Sequence, residues 1–390
     1  MSAKDRRLAE IRASIPEVTP REALALQARG AALVDVREPE EMAQGGPSGA
    51  HRLGRSFLEL RIENAVPDAM RPVVTMCASG ARSLFAAEDL KRLGYANVYS
   101  MAGGFTRWKA EGLPVEMPFT MDAATRERYS RHLLMPEVGE AGQKRLMQSK
   151  VLLVGAGGLG CPAAYYLAAA GVGTLGVVDH DVVDRSNLQR QILHTEARVG
   201  TSKVASARQS LEALNPAVKV VGHEAHLEAA NVEEIFSGYE VVVDGSDNFP
   251  TRYLVNDACV KLGIPNVHGA VYRFEGQVTV FWPARTPHPG PCYRCLYAEP
   301  PPAEFAPSCA EAGVLGVLPG VIGLLEATET VKILLGIGEP LVGRLLHFDA
   351  LRARFTELTI ERDPTCRYCG DGAHFPGYVD YERFCERADA

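Results

Sequence analysis

The stretch from Val151 to Lys203 constrains this chain more than any other. An apolar run, Val151 to Val154, ends in Gly155-x-Gly157-x-x-Gly160, and an alanine-rich segment follows. The run predicts a buried parallel strand and the alanine-rich segment a helix. Pro162 falls in the first turn of that helix, where a missing N–H costs little. Glycines at this spacing let backbone N–H groups and a helix N-terminus approach a phosphate closely. Asp179, nineteen residues beyond Gly160 and after a second apolar run, is placed to accept from a ribose hydroxyl. On these residues alone the default is a nicotinamide or flavin oxidoreductase of α/β fold, binding NAD or FAD.

The residues that follow ask for a different ligand. Ser186, Asn187 and Arg190 come just after the second strand, at the carboxyl edge where α/β sheets bind ligands, and Lys203 lies shortly beyond. A dinucleotide would present a neutral ribose and nicotinamide there, whereas two cations suit the β- and γ-phosphates of a nucleoside triphosphate. A further strand is expected at Tyr239 to Asp244, leading into Gly245-Ser246-Asp247-Asn248. Asp247 at that strand end could hold Mg2+, which prefers carboxylate and phosphate oxygens. Arg190 or Lys203 taken singly reads as a solvated surface charge. Together with Asp247 they read as a triphosphate site.

At this point the sequence resembles the ThiF/MoeB-type adenylyltransferases, bacterial relatives of ubiquitin-activating enzymes, over Arg126 to Gly370. The resemblance rests on RYSRH at Arg128 to His132, the GAGGLG loop, DHDVVDRSNLQRQ from Asp179, GTSKV around Lys203 and DGSDN at Asp244 to Asn248. GQVTVF at Gly276 to Phe281 and the two cysteine pairs CYRC and CRYC extend it. It implies a Rossmann-like fold that binds ATP and Mg2+ through Gly155, Gly157, Gly158, Gly160, Asp179, Ser186, Asn187, Arg190, Lys203, Asp247 and Asn248. It implies a homodimer in which Arg131 reaches the partner's ATP. The implied substrate is a small ubiquitin-like sulfur-carrier protein ending in Gly-Gly, adenylated at its terminal carboxylate.

Cysteine placement adds two further chemistries. Cys292-x-x-Cys295 and Cys366-x-x-Cys369 are paired knuckles, each able to place two thiolates on one tetrahedral Zn2+. A closed four-thiolate shell leaves no open position, so the expected role is structural. Unpaired buried cysteines or a redox pair are the alternatives, although neither pair opens a helix after a strand. Cys77 follows the run Val73 to Met76 and begins Cys77-Ala-Ser-Gly-Ala-Arg82 ahead of an expected helix. Such a loop directs N–H groups, a helix N-terminus and an arginine toward the sulfur, stabilising a thiolate or persulfide. The alternative is a small buried packing residue.

The Cys77 loop resembles that of the rhodanese sulfurtransferases, as do AALVDVREPEE at Ala31 to Glu41 and AGGFTRWKAEGLPV at Ala102 to Val115. Cysteine phosphatases of similar fold carry one more residue in this loop, and the shorter loop favours sulfur. GGPSGAH at Gly45 to His51 departs from the family, which reads close to GHIPGA there. The resemblance implies that a Cys77 persulfide, loaded from a persulfide or thiosulfate donor, converts the activated carboxylate to a thiocarboxylate. In the better-known fusions the rhodanese domain follows the adenylating domain; here it precedes it. Cys309, in a proline-rich stretch, is a candidate nucleophile that in several relatives joins covalently to the carrier.

These readings divide the 390 residues into a small α/β rhodanese-like domain (16–115), a linker (116–125), the adenylyltransferase domain (126–370) and a polar tail (371–390). A net charge of −7 without a basic run argues against a nucleic-acid binder. Charges fill the N-terminal segment where a secretory signal would be apolar. Val314 to Leu335 is interrupted by Glu326, Glu329 and Lys332 and reads as a core helix rather than a membrane span. Nine cysteines without a secretory signal point to a reducing cytoplasm. A non-catalytic scaffold that docks a ubiquitin-like protein is a third reading.

Overall fold

The structure is a computed structural model that describes residues 2–117, 121–300 and 313–379. The chain divides into two units, Met1–Met121 and Asp122–Ala390. No helix of the described residues is long and apolar enough to cross a membrane.

The first unit is built on a five-stranded parallel sheet. Its strands are β1 (Glu17–Val18), β2 (Ala32–Asp35), β4 (His51–Arg52), β5 (Val73–Met76) and β6 (Val98–Met101), in the order β1-β6-β5-β2-β4. Side chains of successive strand residues point to opposite faces. Val34 and Val73 therefore join one core with Leu84, Ala87 and Leu90 of the helix Ala81–Arg92, while Leu33, Val74 and Met76 join a second with Phe105 and Trp108. The segment that departs from the rhodanese pattern supplies a short strand, β3 (Gly46–Pro47), antiparallel to β7 (Val115–Glu116). The expected linker is thus structured at both described ends. Glu116 lies in β7, and Asp122 caps the helix Ala123–Arg128 by accepting from Thr125 N at 2.7 Å.

The second unit carries an eight-stranded mixed sheet. Its strands are β8 (Lys150–Val154), β9 (Thr174–Val178), β10 (Lys219–His223), β11 (Val241–Asp244), β12 (Asn266–Tyr272), β13 (Glu275–Phe281), β14 (Arg344–Asp349) and β15 (Arg354–Thr359). The order is β10-β9-β8-β11-β12-β13-β14-β15. The first five strands are parallel and the rest antiparallel, so the expected hairpin at Val271 to Trp282 is the β12–β13 pair, begun five residues earlier. Val151 and Leu153 face a core shared with the helices Gly160–Ala170 and Leu318–Leu335. Leu152 and Val154 face the opposite core with Val255 and Ala258 of the helix Phe249–Leu262. Full burial of each such side chain stabilises by roughly 1.5–3 kcal/mol. Strand order reverses between β8 and β11, and the loops after those two strands open a crevice there, where sheets of this kind bind ligands.

Within the expected polar tail, Phe375 and Tyr378 pack against the domain. Tyr378 Oη donates to Glu233 at 3.1 Å, Tyr368 Oη donates to the Gly377 carbonyl at 3.1 Å, and the Phe375 ring sits edge-on to both tyrosines.

Candidate active site

At the β8/β11 switch point a cleft opens at the carboxyl ends of the strands. Gly155, Gly157, Gly158, Asp179, Arg190, Lys203, Asp247 and Asn248 line it. The glycine loop turns because Gly155 adopts φ +91°, and the helix start crosses so near that a Cβ on Gly160 would lie 1.9 Å from the Gly155 carbonyl oxygen. Gly160 thus shapes the loop and does not line the cleft. Ala156 N donates to Asp179 Oδ2 at 2.8 Å, tying the loop to the end of β9. Behind it, His194 bridges the Ala156 carbonyl and Ser206 Oγ, each at 2.9 Å. Burial holds the pKa of His194 below its usual value, which favours a neutral ring bracing the loop.

The cations reach the cleft from separate elements. Lys203 opens the helix Lys203–Leu214, its side chain 8% exposed, and its Nζ lies 2.6 Å from Asp181 Oδ2. Burial works against the charge of Asp181, yet the Lys203 ammonium outweighs it and holds that carboxyl below the usual range. Arg190 donates to the Ser186 carbonyl at 3.2 Å. Ser186 and Asn187 are not among the residues lining the cleft. They build the short turn Arg185–Asn187, where Asp184 Oδ1 accepts from Ser186 N and Oγ and Asp184 N donates to Asn187 Oδ1.

The carboxylates divide by what already holds them. Asp179 accepts from Ala156 N and, through its other oxygen, from Asp181 N at 2.9 Å, which still leaves lone pairs for a hydroxyl donor. Asp181 is engaged by Lys203. Asp247 is exposed at the cleft and has no hydrogen bond or ion pair among the described residues. Its position is set by Asp244, fully buried, which accepts from Ser246 N and Oγ and pairs with His268 Nδ1 at 2.9 Å. Asn248 caps the helix Phe249–Leu262 by accepting from Thr251 N at 2.9 Å.

Arg131 is exposed on the short helix Ser130–Leu133 and does not line its own chain's cleft. Cys309 lies outside the described residues. Residue-by-residue reading missed Asp181, Gln191, His180 and His226, which also line the cleft. Asp181 was legible in principle, since it stands in the quoted Asp179 motif two residues from the ribose carboxylate. His226 carried no such signal.

The four paired cysteines converge at the far end of this unit. Their sulfurs all lie within 4.8 Å of one another, at 3.9 Å for Cys292–Cys295, 3.7 Å for Cys292–Cys366 and 3.4 Å for Cys295–Cys369. Tetrahedral zinc with bonds of about 2.3 Å requires sulfurs about 3.8 Å apart, so the donor set fits that ion. Hydrogen bonds from the neighbouring thiols, Cys292 foremost, push the Cys366 thiol well below the usual cysteine range. Arg294, between the first two cysteines, pairs with buried Asp257 at 2.7 Å and lies under the Tyr368 ring, fastening the knuckle to the helix Phe249–Leu262.

In the first unit Cys77 directly follows β5 and is 1% exposed. Gly80 N donates to its sulfur at 3.1 Å, and Ser83 Oγ lies 3.7 Å away. The loop packs so tightly against Gly104 that a Cβ there would lie 2.3 Å from the Cys77 carbonyl oxygen. Arg82 is held by Glu41 through two 2.6 Å hydrogen bonds, and its charge also acts on Cys77.

Comparison with known proteins agrees with this geometry. The ThiF family model matches residues 129–368, and the rhodanese-like domain model matches residues 19–111. The chain is 55% identical over 260 residues to the sulfur carrier protein adenylyltransferase of Thermus thermophilus, covering 66% of this chain and 96% of that one. It is 52% identical over 259 residues to the adenylyltransferase and sulfurtransferase MOCS3 of Sus scrofa, covering 66% of this chain and 56% of that one. The crystal structure of E. coli MccB with MccA-N7isoASN superposes with a TM-score of 0.55 at 21% identity, over 63% of this chain and 75% of that one, and shows the shared fold.

Proposed function

The chain belongs to the ThiF family, with a rhodanese-like domain ahead of the ThiF region, and we propose that it activates a small ubiquitin-like sulfur-carrier protein and converts its terminus to a thiocarboxylate. The observation that carries this reading is the single cleft in which a phosphate-binding loop, a ribose carboxylate, two cations and an unengaged carboxylate meet. ATP bound there supplies the adenylyl group. Gly155 to Gly158 hold its phosphates, Asp179 accepts from the ribose, and Asp247 holds Mg2+. The carrier's terminal glycine carboxylate attacks the α-phosphorus as the bond to the β-phosphate breaks, leaving an acyl-adenylate and pyrophosphate. Arg190 and Lys203 offset the charge that develops on the departing phosphates, with Arg131 added from the second subunit of a homodimer. This is positioning and electrostatic stabilisation.

The second chemistry belongs to Cys77. The outer sulfur of its persulfide attacks the acyl carbon and AMP leaves. A thiol then reduces the resulting acyl disulfide and releases the thiocarboxylate. Holding both sites on one chain raises the effective concentration of sulfur at the adenylate. Cys309 is a candidate for a covalent link to the carrier, and Zn2+ on Cys292, Cys295, Cys366 and Cys369 fixes the end of the domain. The candidate carriers are those serving molybdopterin, thiamine, tRNA thiolation or a specialised sulfur metabolite, and the setting is the cytoplasm.

The test is ATP–pyrophosphate exchange with candidate Gly-Gly carriers, read beside thiocarboxylate formation by mass spectrometry. Cys77→Ala is expected to abolish the thiocarboxylate and leave exchange intact. Loss of both activities would contradict this division of labour.

A further inference from the structure

The Cys77 loop has unusual electrostatics for an anion-handling site. Of its six residues, Cys77 to Arg82, only Arg82 carries a positive charge. Both terminal nitrogens of that guanidinium are taken by the Glu41 carboxylate at 2.6 Å, a two-point geometry that satisfies the group's planar fork. Glu38 adds a second negative charge that acts on Arg82. The other side chains of the loop, Ala78, Ser79 and Ala81, are neutral. Arg37, from the same segment as Glu41, is buried and committed to Asp35 at 2.6 Å and to the Gly45 carbonyl at 2.7 Å. The sulfur therefore has one backbone N–H donor, Gly80 N, and a loop cation whose charge is shared with two carboxylates.

That arrangement discriminates between donors by charge. Thiosulfate arrives as a dianion. The Cys77 thiolate would attack its outer sulfur, the S–S bond would break, and sulfite would leave with both negative charges. A doubly charged reactant and leaving group call for an available cation beside the loop. A persulfide on an uncharged thiol carrier places at most one negative charge there. In that case Cys77 thiolate attacks the outer sulfur of R–S–SH, the S–S bond breaks, and the carrier departs as R–S−, leaving Cys77–S–SH.

Resting on the sulfur-transfer reading above, we propose that the Glu41–Arg82 ion pair selects the sulfur donor, so that Cys77 is loaded from a thiol-borne persulfide and discriminates against thiosulfate. Glu41 is a specificity-determining residue that acts through Arg82. The two side chains are 36% and 39% exposed, so the pair can be opened by substitution without uncovering the core.

The experiment measures loading of Cys77 with one sulfur by intact-protein mass spectrometry, on the full chain, using thiosulfate or the persulfide of 2-mercaptoethanol. The wild type is expected to prefer the persulfide at least tenfold in kcat/KM. Glu41→Gln frees Arg82 and is expected to shrink that preference about tenfold, chiefly through faster use of thiosulfate. Glu41→Gln combined with Arg82→Met is expected to restore the wild-type preference. Persulfide loading near the wild-type rate, which needs an intact Cys77 loop, reports that the first unit of each variant is folded. Equal use of both donors by the wild type, or an unchanged ratio in Glu41→Gln, overturns the inference while leaving sulfur transfer standing. Failure of both donors to load Cys77 overturns the sulfur-transfer reading itself.

Discussion

Replacing Lys203 with methionine separates catalysis from folding, because its partner is unevenly placed. The lysine side chain is 8% exposed, whereas Asp181, at 2.6 Å, is 52% exposed. Methionine keeps most of the buried stem volume, and the abandoned carboxylate can be hydrated in the cleft. The stability cost should therefore resemble that of a surface pair, about 1 kcal/mol or less, rather than the 3–5 kcal/mol roughly expected when a buried charge is stranded. In a unit of this size that corresponds to a fall in Tm of about 2–4 °C. The catalytic loss is set by a different quantity. One preorganised charge removed from developing charge on phosphate costs about 10²–10³ in kcat, or roughly 2.7–4 kcal/mol. ATP–pyrophosphate exchange with the carrier and a thermal melt of the same sample give both numbers. Exchange at more than about a third of the wild-type rate would refute the assignment of Lys203 to the phosphates, since a loss of that size is under 1 kcal/mol. A fall in stability matching the fall in activity would refute the argument that Asp181 can be rehydrated.

Three more outcomes follow from the geometry. Cys292→Ser should lower the zinc content measured on the purified chain and destabilise the second unit, because the knuckle joins Cys366 and Cys369 to a distant part of the chain; undiminished zinc would exclude the four-thiolate site. Gly160→Ala should lose folded protein as well as exchange, since the new methyl would meet the Gly155 carbonyl at 1.9 Å; a well-folded variant with normal nucleotide affinity would show that the loop has another resting shape. The Arg82 guanidinium holds the Glu41 carboxyl at about 2, below the ordinary 4.5, so the pair contributes stability above about pH 4.5 and loses it as pH falls toward 2. Glu41→Gln should therefore melt below the wild type at neutral pH, by under about 1 kcal/mol for so exposed a pair, with the difference vanishing by pH 2; a difference that persists in acid would place the effect outside the ion pair.

Features carried by short-range pattern were read correctly from the chain. The strands at Val73 to Met76 and Val98 to Met101 follow from apolar runs bounded by turn residues, and the glycine loop from spacing that only a tight strand-to-helix turn requires. The cysteine pairs announced, by spacing alone, a cluster of four sulfurs that could hold a metal ion. Less legible were relations between residues far apart. The segment after Asp371 reads as polar, yet Phe375 and Tyr378 are anchored beside Tyr368 and Glu233. Ser186 and Asn187 are held in a turn by Asp184, a local bond that the motif did not announce. Arg82 closes the Cys77 loop, and its pairing with Glu41, far upstream, was not legible.

By itself, the amino-acid sequence set out the chemical groups: a glycine loop, Asp179, two cations, four paired thiols and the candidate nucleophiles Cys77 and Cys309. Tertiary structure alone decided which of those groups remain available. Lys203 lines the cleft but is already paired with Asp181, Asp179 is bonded to the loop it helps shape, and Asp247 stays unengaged among the described residues. The physical reason is that residue type fixes charge and donor count locally, whereas the partner of a charged group is fixed by folding, which brings together Glu41 and Arg82 or Asp244 and His268 from well-separated positions in the chain.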